Sequence, residues 1–174
     1  YDVCHSAQYG FIIKSLTTYL YAYQYLPYKR IKDFFDNLFN HSPSEGTIYN
    51  FIQDLSKSGQ DIEDDIIKDL LHSKVVHFDE TGYNVNGKLH WIHSASTENS
   101  TYYFVHEKRG QKGMDAAGIL PHYNGIAVHD YWKSYFNYST EHALCNAHIL
   151  RELTFLYEVK NELWALDMKN ILLE

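Results

Sequence analysis

Asp79 and Asp130 occupy similar positions in two apolar segments of the sequence. Residues 76–79 read Val-His-Phe-Asp and residues 128–130 read Val-His-Asp, so each carboxylate is expected at the end of a short apolar strand that also carries a histidine. If the two strands are neighbours in one sheet, the carboxylates lie close together and either take up a proton or share a cation. Hard oxygen ligands favour Mg²⁺ or Mn²⁺, and two divalent ions about 4 Å apart suit in-line attack on a phosphodiester.

Each carboxylate also has an ordinary structural role open to it. Aspartate often caps the turn after a strand, because its side chain accepts hydrogen bonds from nearby backbone amides. The spacing of Asp79 and Asp130 alone favours this turn-capping role over metal binding. The elements around them and the other motifs of the chain must decide between the two roles.

The elements before Lys74 are predicted to be helices, because apolar residues recur there at helical spacing. The predicted helices span 6–26, 27–39, 44–55 and 62–71. Pro27 can start the second helix and Ser44 can act as the N-cap of the third. The second and third helices are arranged along the chain like a helix-turn-helix. Lys57 is the only Lys or Arg between Ile48 and Lys68, however, which favours a packing role over DNA binding.

After Lys74 the apolar pattern shifts towards a period of two, which predicts strands. The predicted strands span 75–78, 83–85, 89–94, 101–105, 125–130 and 141–144, with helices over 112–120 and 147–173. Asn86-Gly87 predicts a hairpin turn, because both positions tolerate a positive φ. The helical crossover makes the strand before Asp130 parallel to a strand of the antiparallel meander. The fold class is therefore α/β.

The composition is that of a folded protein, with 45% hydrophobic and 21% charged residues among 174. The formal net charge of −7 excludes a small basic nucleic-acid coat protein, but not a DNA enzyme with a local basic patch. Cys4 and Cys145 are too few for a disulfide scaffold, which favours a reducing compartment. No apolar run approaches the ~18 residues that span a bilayer. Because the chain begins with Tyr1 rather than Met, we expect it to be a piece of a longer protein.

Several short sequence motifs from Asp79 onwards occur in an order that is informative when they are taken together. These motifs cover residues 79–82, 87–91, 106–110, 118–121, 128–135 and 142–153, and residues 9–10, 27, 30 and 44–47 fit the helical region before them. In this order they resemble insertion-sequence-66-type transposases, a family of DDE transposases. The likeness covers most of the chain, so it is far more specific than any single short motif.

The resemblance implies an RNase H-like mixed sheet, with three antiparallel strands followed by parallel strands and preceded by a helical region. It implies a helical N-terminal region over 1–73, an incomplete catalytic core over 74–153 and the start of a helical insertion over 154–174. Asp79 and Asp130 become the catalytic, metal-binding residues of a site that holds two Mg²⁺ (or Mn²⁺) ions when complete. The implied partners are transposon-end and target DNA and further copies of the chain in a synaptic complex, in the bacterial cytoplasm at the nucleoid and away from membranes.

Basic residues near these aspartates are candidate DNA contacts. Lys108, Arg109 and Lys112 flank glycines just before a predicted helix, where positive charge and free amides suit a phosphate backbone. Lys133 adds to the same face, and the aromatic residues over 131–138 could stack on unpaired bases. The alternatives are an ordinary solvated loop and ordinary aromatic packing.

A third acid is needed to complete a DDE site. In the family it comes from a later segment after the helical insertion, so the candidates are Glu152 and a residue beyond Glu174. Cys145 and His148 have the spacing of metal ligands, but a zinc site needs four, so a buried cysteine and a hydrogen-bonded histidine are favoured.

The resemblance predicts metal-dependent DNA strand cleavage and strand transfer at transposon ends. One alternative is a catalytically incomplete remnant that acts as a DNA-binding or protein-binding module. Another is an RNase H-like nuclease that only hydrolyses DNA. The third acid separates the first alternative from an active enzyme, and joining of pre-cut DNA ends separates the second.

Overall fold

The computed structural model describes residues 9–174, and the chain divides into two units, Tyr1–Ile62 and Glu63–Glu174. Cys4 and the predicted start of the first helix at Ser6 lie outside the described residues. The predicted division into 1–73, 74–153 and 154–174 stays a prediction. Over the described part of the chain, no helix is both long enough and apolar enough to cross a membrane.

The first unit contains three helices, which are α1 (Phe11–Ala22), α2 (Tyr28–Phe39) and α3 (Glu45–Ser58). Pro27 immediately precedes α2, and the Ser44 hydroxyl caps α3 by accepting a 3.1 Å hydrogen bond from the Thr47 amide, as predicted. The predicted continuation of α1 to residue 26 is wrong, because Tyr25 takes a left-handed φ of 54°. Buried apolar side chains hold the helices together: Leu20, Ile31, Phe35 and Ile48.

The second unit is built on a five-stranded mixed sheet in the order β3-β2-β1-β4-β5. The strands are β1 (Val75–Val85), β2 (Lys88–Ser96), β3 (Thr101–His106), β4 (Ile126–His129) and β5 (Glu141–Leu144). β1, β2 and β3 pair antiparallel, whereas β4 is parallel to β1 and β5 is parallel to β4. This confirms the predicted α/β, RNase H-like sheet.

Helices connect and flank these strands. They are α4 (Gln60–His72), α5 (Gln111–Ala117), α6 (Asn146–Lys160) and α7 (Leu163–Leu173), with short 3₁₀ turns at Leu120–His122 and Tyr135–Asn137. The predicted extension of α5 to residue 120 is wrong, because Gly118 takes a left-handed φ of 75° and ends the helix. Asn161 at φ 57° similarly separates α6 from α7 within the predicted helical stretch.

β1 differs most from its prediction, because one continuous strand replaces the two predicted at 75–78 and 83–85. Every residue from His77 to Val85 is paired with β2. The polar residues 79–82 are therefore part of the strand, because antiparallel hydrogen bonds to β2 continue through them. Asp79 therefore lies inside β1 and not at its end, which corrects the expectation above. The hairpin prediction is confirmed, because Asn86 and Gly87 have φ values of 50° and 77°.

One face of β1 faces the core of the second unit. Val76 and Phe78 are buried, whereas His77 and Asp79 are exposed, as expected from side chains that alternate along a strand. The core cluster consists of Leu70, Val76, Phe78, Ala95, Met114, Ile119, Leu120, Tyr123, Ala127 and Tyr135. Asp79 consequently lies on the face of the sheet opposite to this cluster.

Candidate active site around Asp79 and Asp130

The register between β1 and β4 determines where the two aspartates lie relative to each other. Val75 is paired with Ile126 and His77 with Val128. Continued by two residues, this parallel register would put residue 79 level with Asp130, which directly follows the last residue of β4. Strands in a sheet lie about 4.8 Å apart, so this register brings the backbone at residues 79 and 130 close together.

The side chain of Tyr135 lies close enough to both aspartates to respond to their charge. Its burial is the largest cause that raises the pKa of the Tyr135 phenol well above the ordinary value. The negative charge of Glu80 contributes next, followed by those of Asp130 and Asp79. Of these three carboxylates, Glu80 is the one that accepts a hydrogen bond from the Tyr135 hydroxyl.

Asp130 is held by its own turn. Its Oδ1 accepts a 2.9 Å hydrogen bond from the Trp132 amide, which is the turn-capping contact that aspartate commonly makes after a strand. Its Oδ2 lies 4.0 Å from Nη2 of Arg109, and the side chain is 24% exposed. Oδ2 is therefore left with room for a further ligand.

Asp79 is the more open of the two carboxylates. Its Oδ1 accepts a 2.9 Å hydrogen bond from the Glu80 amide, and its residue is exposed. The Ser94 hydroxyl donates to the Asp79 backbone carbonyl at 3.2 Å across the β1–β2 ladder, which fixes the strand at this position. The strand is thus held, while the carboxylate points away from the apolar core.

Among the predicted DNA contacts, Arg109 differs from the three lysines. Nε and Nη2 of Arg109 each lie 2.8 Å from Oε1 of Glu80, whose side chain is only 1% exposed. Lys108, Lys112 and Lys133 are exposed. The structure thus leaves the lysines open to solvent and ties Arg109 to a buried acid.

A cleft of about 310 Å³ lies beside Asp130. Its lining residues are Asp130, Tyr131, Trp132, Lys133, His148, Arg151 and Glu152. The Tyr131 hydroxyl bonds to the Glu152 carboxylate, which raises the pKa of Tyr131. Glu152 therefore shares a cleft with Asp130, yet among residues 9–174 no three or more His, Cys, Asp or Glu side chains are grouped so as to hold a metal.

The possible zinc ligands on α6 do not assemble into a site in the described residues. Cys145 carries a free thiol and precedes the first turn of α6. Nδ1 of His148 is buried without a hydrogen-bond partner, so the expected partner of this histidine is missing at that atom.

His129 illustrates why the histidine of the second segment packs instead of binding metal. Its ring stacks on Tyr135 with centroids 4.3 Å apart, and its Nε2 lies 2.9 Å from Nδ1 of His142. Burial lowers the pKa of His129 below its ordinary value. The ring is therefore part of the packed interior, between Tyr135 and His142.

Sequence reasoning missed Glu80 as a member of this site. Alternation along β1 puts residue 80 on the same face as Phe78, so a charged residue there predicts a buried partner. The predicted break of β1 at residue 79 hid that alternation. Tyr135, the second partner of Glu80, was recognised only as one of several aromatic residues.

A model of the transposase IS66 family matches residues 8–173 of the chain. The chain belongs to this family. No curated protein sequence matches it.

Two solved structures show partial similarity to this IS66-family chain. The catalytic core domain of HTLV-2 integrase, in complex with magnesium in a trimeric form, gives a TM-score of 0.36 at 15% identity, over 53% of this chain and 77% of the integrase chain. A chain of the simian T-cell lymphotropic virus intasome, in complex with the PP2A regulatory subunit B56 gamma, gives 0.34 at 13% identity, over 57% of this chain and 48% of that chain.

The donor atoms of the site fit a divalent cation. Mg²⁺ is usually held by one or two carboxylates, with waters and substrate phosphates completing its octahedron. Asp79 and Asp130 supply two such carboxylates from adjacent strands, and Asp79 is open to solvent. Carboxylate oxygens of this kind are the donor type that Mg²⁺ and Mn²⁺ take.

Proposed function

We propose that this chain carries the catalytic core of a transposase that cleaves DNA at transposon ends and joins the freed ends to target DNA. The observation that carries the proposal is the parallel β1–β4 register, which supports an approach of Asp79 to Asp130 if it is continued by two residues. Membership of the transposase IS66 family supports the same assignment. The DNA substrates, assembly into a homo-oligomer for synapsis and action on the bacterial nucleoid are parts of this proposal.

Asp79 and Asp130 would hold Mg²⁺ or Mn²⁺, two ions in the complete site. Bound there, such cations stabilise the charge that develops on phosphodiester oxygens. The Trp132 amide keeps Asp130 in place, and Ser94 keeps the backbone at Asp79 in place. Water is the nucleophile for cleavage and the freed 3′ hydroxyl is the nucleophile for joining, so no residue of the chain is covalently attached to DNA.

Exposed cations near the aspartates are proposed to position the DNA backbone. Lys108 and Lys112 lie on the loop and first turn that lead into α5, and Lys133 lies in the turn after Asp130. Ammonium groups that contact phosphates add affinity and fix the register of the duplex, but do not read its sequence. Arg109 was predicted to act with them, although its guanidinium is already paired with Glu80.

The decisive experiment replaces each aspartate separately. In Asp79→Asn and Asp130→Asn we expect both Mn²⁺ binding and Mn²⁺-dependent cleavage of transposon-end DNA to be lost, because the amide no longer supplies a charged oxygen ligand. Glu152→Gln is the matched variant, since it removes a carboxylate from the same cleft. If both aspartate variants keep wild-type cleavage, the proposal is wrong; if Glu152→Gln also loses it, Glu152 is the third acid.

Joining activity separates a transposase from an enzyme that only hydrolyses DNA. Transposon ends that are already cut and carry a 3′ hydroxyl should be joined to a supercoiled plasmid by the wild-type protein. Cleavage without any joining would instead identify a hydrolytic nuclease with the same two aspartates.

A further inference from the structure

Glu80 is a buried acid directly beside Asp79. Its side chain is 1% exposed, its Oε1 accepts hydrogen bonds from Arg109, and its Oε2 accepts one from the Tyr135 hydroxyl. A buried carboxylate is costly unless it is paired and hydrogen-bonded. Both of its oxygens are satisfied, so Glu80 anchors Arg109 at a defined place in the second unit.

Arg109 lies between the buried Glu80 and Asp130. Its Nη2 lies 2.8 Å from Oε1 of Glu80 and 4.0 Å from Oδ2 of Asp130. The guanidinium also lies 4.1 Å from the ring centroid of Trp132 and 5.0 Å from that of Trp91. Stacking on aromatic rings restricts the guanidinium further.

Trp132 contacts both Asp130 and Arg109. Its amide donates to Oδ1 of Asp130 at 2.9 Å, while its ring packs on Arg109. One oxygen of Asp130 is thus bonded to the Trp132 amide and the other faces Arg109. The contact with Oδ2 and the packing of the Trp132 ring both involve an arginine that a buried acid holds in place.

We propose that Glu80 and Arg109 are positioning residues that hold the Asp130 carboxylate opposite Asp79. Glu80 fixes the guanidinium of Arg109, and Arg109 fixes the turn at residues 130–132 through Trp132 and Oδ2 of Asp130. The inference rests on the proposed function, because it assigns this geometry to metal binding by the two aspartates. It gives Arg109 a role inside the protein in place of a phosphate contact.

The test uses Arg109→Lys, which keeps the positive charge but loses the planar fork and the stacking surface. We expect its dissociation constant for Mn²⁺ to rise about tenfold, as when residues that orient metal ligands are removed. Its DNA binding should keep the wild-type dependence on salt. Titration of Mn²⁺ followed by water-proton relaxation, and DNA titration at several salt concentrations, measure the two quantities.

Two lysine variants serve as controls for these measurements. Lys108→Gln removes a neighbouring exposed charge and should lower the salt slope by about one while leaving Mn²⁺ affinity unchanged. Lys88→Gln, at the hairpin between β1 and β2, should change neither the salt slope nor the Mn²⁺ affinity.

Glu80→Gln is the second test variant. It removes the charge that fixes Arg109 while keeping the side-chain shape, and it should weaken Mn²⁺ binding as Arg109→Lys does.

The outcomes separate this inference from the proposed function. Wild-type Mn²⁺ affinity in Arg109→Lys, or a salt slope reduced as in Lys108→Gln, overturns the positioning role alone. If the wild-type protein binds no Mn²⁺, the metal assignment of the proposed function falls and the inference falls with it. If both Arg109→Lys and Glu80→Gln fail to fold by circular dichroism, the pair serves stability only and the inference is wrong.

Discussion

At the scale of single residues, two adjacent carboxylates differ in their exposure to solvent. Asp79 is exposed and available to ligands, whereas Glu80, the next residue, is buried and completely paired. Alternation along a strand explains the difference, because successive side chains point to opposite faces of the sheet. The same strand therefore presents one carboxylate to solvent and uses the other to hold an arginine.

Removal of the Tyr135 hydroxyl should destabilise the protein. In Tyr135→Phe, Oε2 of the buried Glu80 loses its donor, and leaving a buried polar group unsatisfied costs about 1–3 kcal/mol of the free energy of unfolding. Urea denaturation of the two proteins measures this difference. Tyr131→Phe is the control, because its hydroxyl bonds to Glu152 at an exposed position and its loss should change stability little. Equal changes in the two variants would contradict the buried contact.

At the scale of elements, the approach of α5 to β2 sets the position of the loop that carries Arg109. A Cβ at Gly113 would lie 2.2 Å from the Lys108 carbonyl and 2.4 Å from Nε2 of His93. Nε2 of His93 donates to that carbonyl at 3.1 Å, which ties the loop to β2. Only glycine at position 113 allows the start of α5 to lie this close to the Lys108 carbonyl and to His93 of β2.

A methyl group at position 113 should therefore push the loop away. We expect Gly113→Ala to lower the free energy of unfolding by about 1–3 kcal/mol, the usual cost of overpacking, as measured by thermal and urea denaturation. The control is Gly46→Ala in α3, where the nearest atom is 3.9 Å from the added Cβ. That variant should be neutral or more stable by about 0.5–1 kcal/mol, since alanine favours helix over glycine. Unchanged stability in Gly113→Ala would show that the loop moves freely.

At the scale of the whole molecule, the proposed function requires an acidic chain to bind DNA, which is itself acidic. The formal net charge is −7, so overall attraction to DNA is absent and local groups must supply the affinity. Phosphate contacts by lysine release counterions, which makes the logarithm of the binding constant fall linearly with the logarithm of the salt concentration. The salt dependence therefore reports how many cations touch DNA.

The triple variant Lys108→Gln, Lys112→Gln and Lys133→Gln should bind DNA more weakly and with a shallower salt slope. The slope should fall by about 0.9 for each phosphate contact that is lost, as measured by fluorescence anisotropy over a series of salt concentrations. The triple variant Lys88→Gln, Lys160→Gln and Lys169→Gln removes the same net charge at other places in the second unit. Identical slopes in the two triple variants would show that net charge, and not a local surface, determines the affinity.

Much of the local structure was predictable from the sequence because it depends on neighbouring residues. The cap at Ser44 and the hairpin turn at Asn86 and Gly87 follow from what single residues do to their own backbone. The succession of helices and strands along the chain follows from hydrophobic periodicity. The two aspartates could likewise be singled out, because each follows a short apolar run along the chain.

Only the tertiary structure decided how these pieces make a site. The continuity of β1 through Asp79 depends on pairing with β2, and the parallel alignment of β1 with the strand before Asp130 depends on the register with β4. Glu80 meets Arg109 across 29 positions of sequence and Tyr135 across 55. Contacts of this kind are set by strand register and by the satisfaction of buried charge, and neither is determined before distant segments pack together.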